Sequence, residues 1–286
     1  EGIKRCNIVL DNIESVQMDE TTKKKYKGEM LFIRALTYFN MVRLWGDVPL
    51  VIRYFDDPFQ TFGIGRSPVN DVYEQIKNDL IEASKILPEV PDNKRLGTAV
   101  SGSAKTLLGK VYLTLKDYDN AVKILKEVID SQQYTFIQDY TELFDVDNKN
   151  NSESIFEIQY TEAVTDLGSA FANLFAPIGS SEVTGGIGAT EGNNEPTQNF
   201  YESYNIDDLR RDVSIGQLAD GRIYCKKFVK KPVLPNQSNA NFVVLRYTDV
   251  LLMYAEALNE ISYSSSGDAI KYLNEVRQRA GLQLYT

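Results

Sequence analysis

The sequence contains no histidine, a single tryptophan and two cysteines in 286 residues. Without histidine, Ser-His-Asp and Cys-His nucleophile systems, His-ligated metals and the commonest general base are excluded. Any catalysis would have to run on carboxylates, lysine or tyrosine. Cys6 and Cys225 lie far apart and support neither a disulfide scaffold nor a zinc cage. Cys6 falls on the apolar stripe Ile3, Cys6, Val9, Leu10, Ile13, Val16 of an amphipathic helix, which makes it a core thiol. Basic clusters end at Lys23-Lys24-Lys25, read as a solvated helix start, and the net charge is −9, so nucleic acid is excluded as a partner. A signal peptide and an apolar run long enough to span a bilayer are also lacking. The length suits one large domain or two with a substantial core.

What is present is mostly helical patterning. From Gly28 to Val51 the sequence GEMLFIRALTYFNMVRLWGDVPLV sets Leu31, Phe32, Ala35, Leu36, Phe39, Val42 and Trp45 at spacings of three and four. Met30, Ile33, Tyr38 and Met41 fill most of the remaining circumference, and a helix apolar nearly all round is buried on several sides. Gly46 and Pro49 stop it, and Asp47 is placed to bond neighbouring amides in a rigid turn. From Ser101 to about Tyr134 the spacing is that of a tetratricopeptide unit: Leu108, Gly109 and Tyr112, a turn at Asp117-Tyr118-Asp119, then Ala121, Leu125 and Val128. Gly109 and Ala121 are the small residues expected at a close helix crossing. Lys105 replaces the first-helix aromatic, and the closing proline is absent. A similar pair ends the chain, with Tyr254, Ala255 and Leu258, a turn at Ser264 to Gly267, then Ala269 and Leu273. A third pair centres on Leu36 and Ile76, its second helix expected to be capped by Ser67 with Pro68 in the first turn and its connection lengthened from Arg53 to Arg66. Such units stack into one helical layer.

Between Thr161 and Asn241 the helical periodicity fades, and Pro177 to Asn199 is rich in Gly, Ser, Thr and Asn. Long irregular stretches of this kind are functional loops or mobile ones. Rings and amides there suit sugars, because the C–H face of a pyranose packs on aromatic rings while Asn, Asp and Arg take the hydroxyls. The candidate ligand-binding residues are Phe171, Phe175, Asn193 and Asn194; the spacing of Phe171 and Phe175 on a short helix serves burial equally well. Tyr201 and Tyr204 are assigned to a structural helix over Phe200 to Tyr204, and Trp45 to packing. Carboxylate pairs at Glu191/Glu195, Asp207/Asp208 and Asp145/Asp147 are candidates for a glycosidase only if they face each other across a cleft. Phosphate-loop, dinucleotide and calcium-loop patterns at Gly97 to Lys105, Gly186 to Gly188 and Asp145 to Phe156 each lack a required residue, so no catalytic residue, metal ligand or cofactor is assigned.

Taken in order, four stretches resemble the SusD/RagB family of Bacteroidetes surface nutrient-binding lipoproteins: Gly28–Val51 itself; Arg66-Ser67-Pro68-Val69-Asn70-Asp71-Val72-Tyr73-Glu74-Gln75-Ile76 onward; Glu153–Ile158; and Leu245–Ala257 with Leu273–Gly281. The resemblance implies a mostly α fold with tetratricopeptide-like helix pairs in a helical layer, a loop-rich ligand face and few short strands. It implies one SusD-like domain over 1–286, cut at both ends, with helical units at about 1–134 and 242–286 and a ligand region at about 161–241. It further implies a cell-surface outer-membrane lipoprotein, anchored through a lipid outside this chain, that binds a glycan or other nutrient without catalysis. The partner it implies is a SusC-like TonB-dependent transporter. The alternative is a tetratricopeptide-like scaffold that binds a peptide or partner protein in its concave face; a carboxylate-driven glycosidase is more remote.

Overall fold

Helix α1 (Gly2–Asn12) buries Cys6 and Asn7, and after a short 3-10 turn the chain enters α2 (Glu20–Trp45). The computed structural model describes residues 1–91 and 95–285; the domain end expected at residue 286 lies outside them. Two compact units result, one of residues 1–133 with 256–263, the other of residues 134–255 with 264–286.

In the first unit α2 is followed by α3 (Val69–Ile86), α4 (Ser101–Thr114) and α5 (Tyr118–Asp130), neighbours in chain order packing in antiparallel succession. The apolar residues after Gly28 explain the burial: Phe32, Tyr38 and Phe39 are at most 1% exposed, each contributing about 1.5–3 kcal/mol over an exposed position. The predicted stop holds, with Gly46 at φ +67°. Asp47, expected to bond neighbouring amides, instead accepts from the distant Val69 amide at 2.9 Å, so the cap of α3 comes from just after α2. Ser67, the expected cap, instead bridges in backbone to Val48. Ser101, whose side chain suits a cap, opens α4 without capping it and donates to the Ser84 carbonyl at 2.7 Å, while Ser103 accepts from the Val100 amide. Trp45 is 60% exposed and Leu44 70%, because the last turn of α2 gives only Val42 to the core; Trp45 is not a packing residue of this unit. Lys23 is buried against Glu20 and the Glu14 carbonyl rather than solvated.

A charged cluster lies inside this helical layer. Arg34 of α2 is bidentate to Asp79 of α3, at 2.8 and 2.7 Å, and reaches the Asn7 side chain at 2.9 Å and the Ile52 carbonyl at 3.1 Å. Asn7 donates in turn to the carbonyls of Val51 and Arg53, and the Tyr38 hydroxyl donates to the Val51 carbonyl and accepts from its amide. The strand-like segment after Pro49 is therefore pinned to the helices through its own backbone.

The second unit holds the strands. β1 (Ser154–Ile158) pairs antiparallel with β4 (Phe242–Arg246), and β2 (Ile215–Gln217) with β3 (Ile223–Cys225). Between them lie short helices α6 (Phe171–Phe175), α7 (Ser181–Thr184), α8 (Gln198–Glu202) and α9 (Arg211–Ser214). β4 runs directly into α10 (Tyr247–Ile261), so Leu245 and Arg246 end a strand where the sequence pattern suggested helix, and α11 (Asp268–Arg279) closes the chain. The fold is mostly helical with few short strands, as the resemblance implied.

The tetratricopeptide spacing is realised with one change of partner. A Cβ on Gly109 would lie 2.4 and 2.6 Å from side-chain carbons of Leu125, so the close approach of α4 and α5 is against Leu125 rather than Ala121. Gly109→Leu is expected to cost roughly 1–3 kcal/mol or more through overpacking, read as a lowered Tm in calorimetry; an unchanged Tm would remove the contact from the account.

Candidate functional site

The site begins with a polar hub that fixes its walls. Glu153, fully buried just before β1, accepts from the Ile137 amide at 2.9 Å and is ion-paired with Arg279 of α11, while the Thr248 hydroxyl of α10 donates to its second oxygen. Arg279 also donates to the Thr248 hydroxyl and the Ile137 carbonyl, and its guanidinium lies 4.0 Å from the Phe136 ring centroid. Burial holds that guanidinium below its ordinary range, partly offset by Glu153. The segment 136–140 is thereby held against the ends of α10 and α11, and it delivers Tyr140.

Around Tyr140 is a groove of about 520 Å³. One wall is α8 and the turn after it, where Thr197 caps the helix by accepting from the Phe200 amide and Phe200 meets Tyr204 edge to face at 5.5 Å. Asn205 then accepts from the Asp207 amide, forming a turn that presents Asp208. Asp208 accepts from Arg210 three times, from its amide at 3.0 Å, Nε at 2.9 Å and Nη2 at 2.6 Å. This loop abuts the Arg-Ala-Gly end of α11: the Leu209 amide donates to the Ala280 carbonyl, and a Cβ on Gly281, whose φ is +72°, would meet the Asp207 carbonyl at 3.0 Å. Arg277 and Leu282 line the side formed by that end, and Lys227, just after β3, lies 4.8 Å from the Phe144 ring centroid and 5.7 Å from that of Tyr140.

The electrostatics follow from these neighbours. The hydrogen-bonded Arg210 guanidinium holds the Asp208 carboxyl below the usual carboxylate range, and Asp208 raises Arg210. Burial pushes Tyr204 up. Burial would do the same to Tyr140, but the Lys227 ammonium, hydrogen bonds with Ser214 and Lys227, and the charge of Arg246 outweigh it, leaving that phenol below its ordinary value. Rings, hydroxyls, an amide and guanidinium groups in one groove can stack on a pyranose and bond its hydroxyls. Asp208 is the one carboxylate among the lining residues and is engaged by Arg210, so no facing carboxylate pair is assembled here. Asp145, Asp147, Glu191, Glu195 and Asp207 are exposed. Among the described residues no group of three or more acidic or cysteine side chains could hold a metal, and no helix is long and apolar enough to cross a membrane.

The four residues singled out from sequence lie together, but do not line this groove. Phe171 and Phe175 stack at 5.2 Å on α6, both half-buried. The loop carrying Asn193 and Asn194 wraps α6: the Asn193 amide donates to the Leu174 carbonyl, and buried Asn173 donates to the carbonyls of Ile187 and Ala189. Asn194 is exposed with φ +58°. A chain of ring contacts joins this substructure to the groove, from Phe171 to Phe228 at 6.0 Å, Phe228 to Phe144 at 5.4 Å and Phe144 to Tyr140 at 5.6 Å. Phe228 holds φ +62°, a conformation bulky residues rarely adopt. Sequence reasoning missed Tyr140, Lys227 and Arg277 as lining residues and gave Tyr204 to a structural helix; Phe200 and Tyr204 at spacing four, next to Asp208-Leu209-Arg210, were the available signal. Elsewhere in the second unit a cavity of about 20 Å³ beside Glu157 and Asn241 has room for one water.

Residues 1–113 match the family described as starch-binding associating with outer membrane, and residues 210–286 match the SusD family. A laminarin-binding SusD-like protein superposes with a TM-score of 0.87 at 30% identity, covering 99% of this chain and 69% of that one. A structure with a xylogluco-oligosaccharide gives 0.86 at 27% identity, over 99% of this chain and 63% of the other. SusD-like protein P2 of Formosa agariphila is 28% identical over 98% of this chain, which spans 61% of that relative's length. The chain belongs to the SusD family.

The Asp208–Arg210 pair has a pH signature. A carboxyl held below its unfolded value contributes stability that is complete above about pH 4 and lost as the pH falls through the lower folded value. Asp208→Asn is therefore expected to lower urea-unfolding stability at pH 7, with the difference from the parent shrinking below about pH 4; a difference constant from pH 7 to 3 would remove the pair's role.

Proposed function

We propose that this chain is the ligand-holding body of a surface protein that captures a glycan without cleaving it and passes it to a SusC-like TonB-dependent transporter in the outer membrane. A lipid tethers it to that membrane. The observation that carries the reading is the groove at Tyr140, Phe200, Tyr204, Asn205 and Arg210, where rings and hydroxyl-bonding groups converge in a unit whose fold is that of a laminarin-binding relative. The recognition face extends along the ring contacts to Phe171 and Phe175, with Asn193 and Asn194 as amides at its far edge.

A second reading has one observation in its favour. In the first unit a pocket of about 410 Å³, lined by Met41, Pro49, Val51, Tyr54 and Phe55, is mostly apolar and fits a peptide side chain better than a sugar. Tyr204→Ala and Phe171→Ala are expected to weaken oligosaccharide binding about tenfold in calorimetry, and incubation with polysaccharide should release no reducing ends. Normal glycan binding by both variants, combined with loss of binding on Met41→Asp or Val51→Asp, would transfer the function to the first unit.

A further inference from the structure

The groove is charged in a way that a neutral glycan does not require. Its lining holds three cations, Arg210, Lys227 and Arg277, against the single carboxylate of Asp208, in a chain whose net charge is −9. Asp208 is spent on Arg210. Among the described residues no carboxylate pairs with Lys227 or Arg277. Lys227 lies over the Phe144 and Tyr140 rings, 4.8 and 5.7 Å from their centroids. Arg277 is oriented by a bond from its Nε to the Gln283 carbonyl at 2.7 Å and by the Tyr285 ring, 4.4 Å away. Stacking occupies the face of a guanidinium and leaves its edge donors available, so the Nη atoms of Arg277 remain to bond a ligand. A concave, partly desolvated site focuses such a field.

We infer that the groove selects an oligosaccharide carrying an anionic substituent, the carboxylate of a uronate or a sulfate ester, seated between Lys227 and Arg277 while the sugar ring lies against Phe200 and Tyr204. Arg277 gives a planar carboxylate or a sulfate two parallel donors, and Lys227 adds a point charge. This inference rests on the glycan-binding reading and specifies its substrate class.

The test compares three ligands of equal length at about 0.15 M salt, where contacts within a Debye length dominate: a neutral glucan oligosaccharide, its uronate counterpart and its sulfated counterpart, with inorganic sulfate as a further probe. Calorimetry is expected to give one anionic oligosaccharide an affinity about tenfold or more above the neutral one. The double variant Lys227→Gln, Arg277→Gln should abolish that preference, bringing its affinity for the anionic ligand to within about twofold of its own affinity for the neutral one. Which of the two anionic ligands binds tighter identifies the substituent. Inorganic sulfate binding as tightly as the oligosaccharides would overturn the inference, because the sugar would then contribute nothing. Equal affinity for neutral and anionic ligands, or a preference that survives the double variant, also overturns it while leaving glycan binding intact. Failure of every oligosaccharide to bind sinks the glycan reading itself. Circular dichroism of the double variant separates lost charge from lost fold.

Discussion

The second unit depends on the buried charge of Glu153. A carboxylate with no exposure is tolerable only when its lone pairs are taken, and here they are taken by an arginine, a hydroxyl and a backbone amide from three different parts of the chain. Each partner belongs to a separate stretch of sequence: the segment before Tyr140, the start of α10 and the end of α11. Leaving Arg279 without its counter-ion would strand a desolvated guanidinium, at a cost of about 3–5 kcal/mol. The groove inherits its geometry from this arrangement, since Tyr140 leaves the segment that Arg279 bonds and stacks upon, and Arg277 and Gly281 flank Arg279 itself.

The first unit repeats the device with Arg34 and Asp79. In both units a buried arginine joins two helices and also bonds the backbone of a non-helical segment: Arg34 through its ion pair with Asp79 and the Ile52 carbonyl, Arg279 through the Thr248 hydroxyl and the Ile137 carbonyl. That coupling explains why polar residues sit inside otherwise apolar motifs. In the stretch from Gly28 to Val51, Arg34 is the residue that hydrophobic periodicity does not account for, and its role is to hold residues 51–53 through Asn7 and Ile52. A family motif read as a helix followed by a turn is, physically, a helix with the anchor for that turn's exit strand built into it.

The groove's one carboxylate is tied to the arginine two residues away, and its aromatic rings form contacts that continue from Tyr140 through Phe144 and Phe228 to Phe171 and Phe175. Such rings supply area and shape with little conformational entropy to lose. The left-handed backbone at Phe228 keeps that ring within the series, a strained conformation retained where two parts of the face meet.

The helices, their stops and the absence of histidine chemistry were legible in the sequence, because helical spacing, Gly46 and composition are local properties. Gly109 was legible as a close contact, though Leu125 rather than Ala121 meets it. Caps were less so: Ser67 and Ser101 have the right side chains, but Asp47, distant in sequence, reaches the α3 amide first. Trp45 carries an apolar side chain into solvent, since periodicity reports what a residue is and not what lies opposite it. The neighbourhood of Phe171, Phe175, Asn193 and Asn194 was foreseen as one loop-rich region, and they do share α6 and the loop around it. Tertiary structure alone decided the groove, whose lining comes from Tyr140, the turn at Phe200 to Arg210, Lys227 and Arg277. Those residues meet through long-range bonds to Glu153, Arg279 and Gly281, and no local pattern encodes which distant partner will satisfy a buried charge.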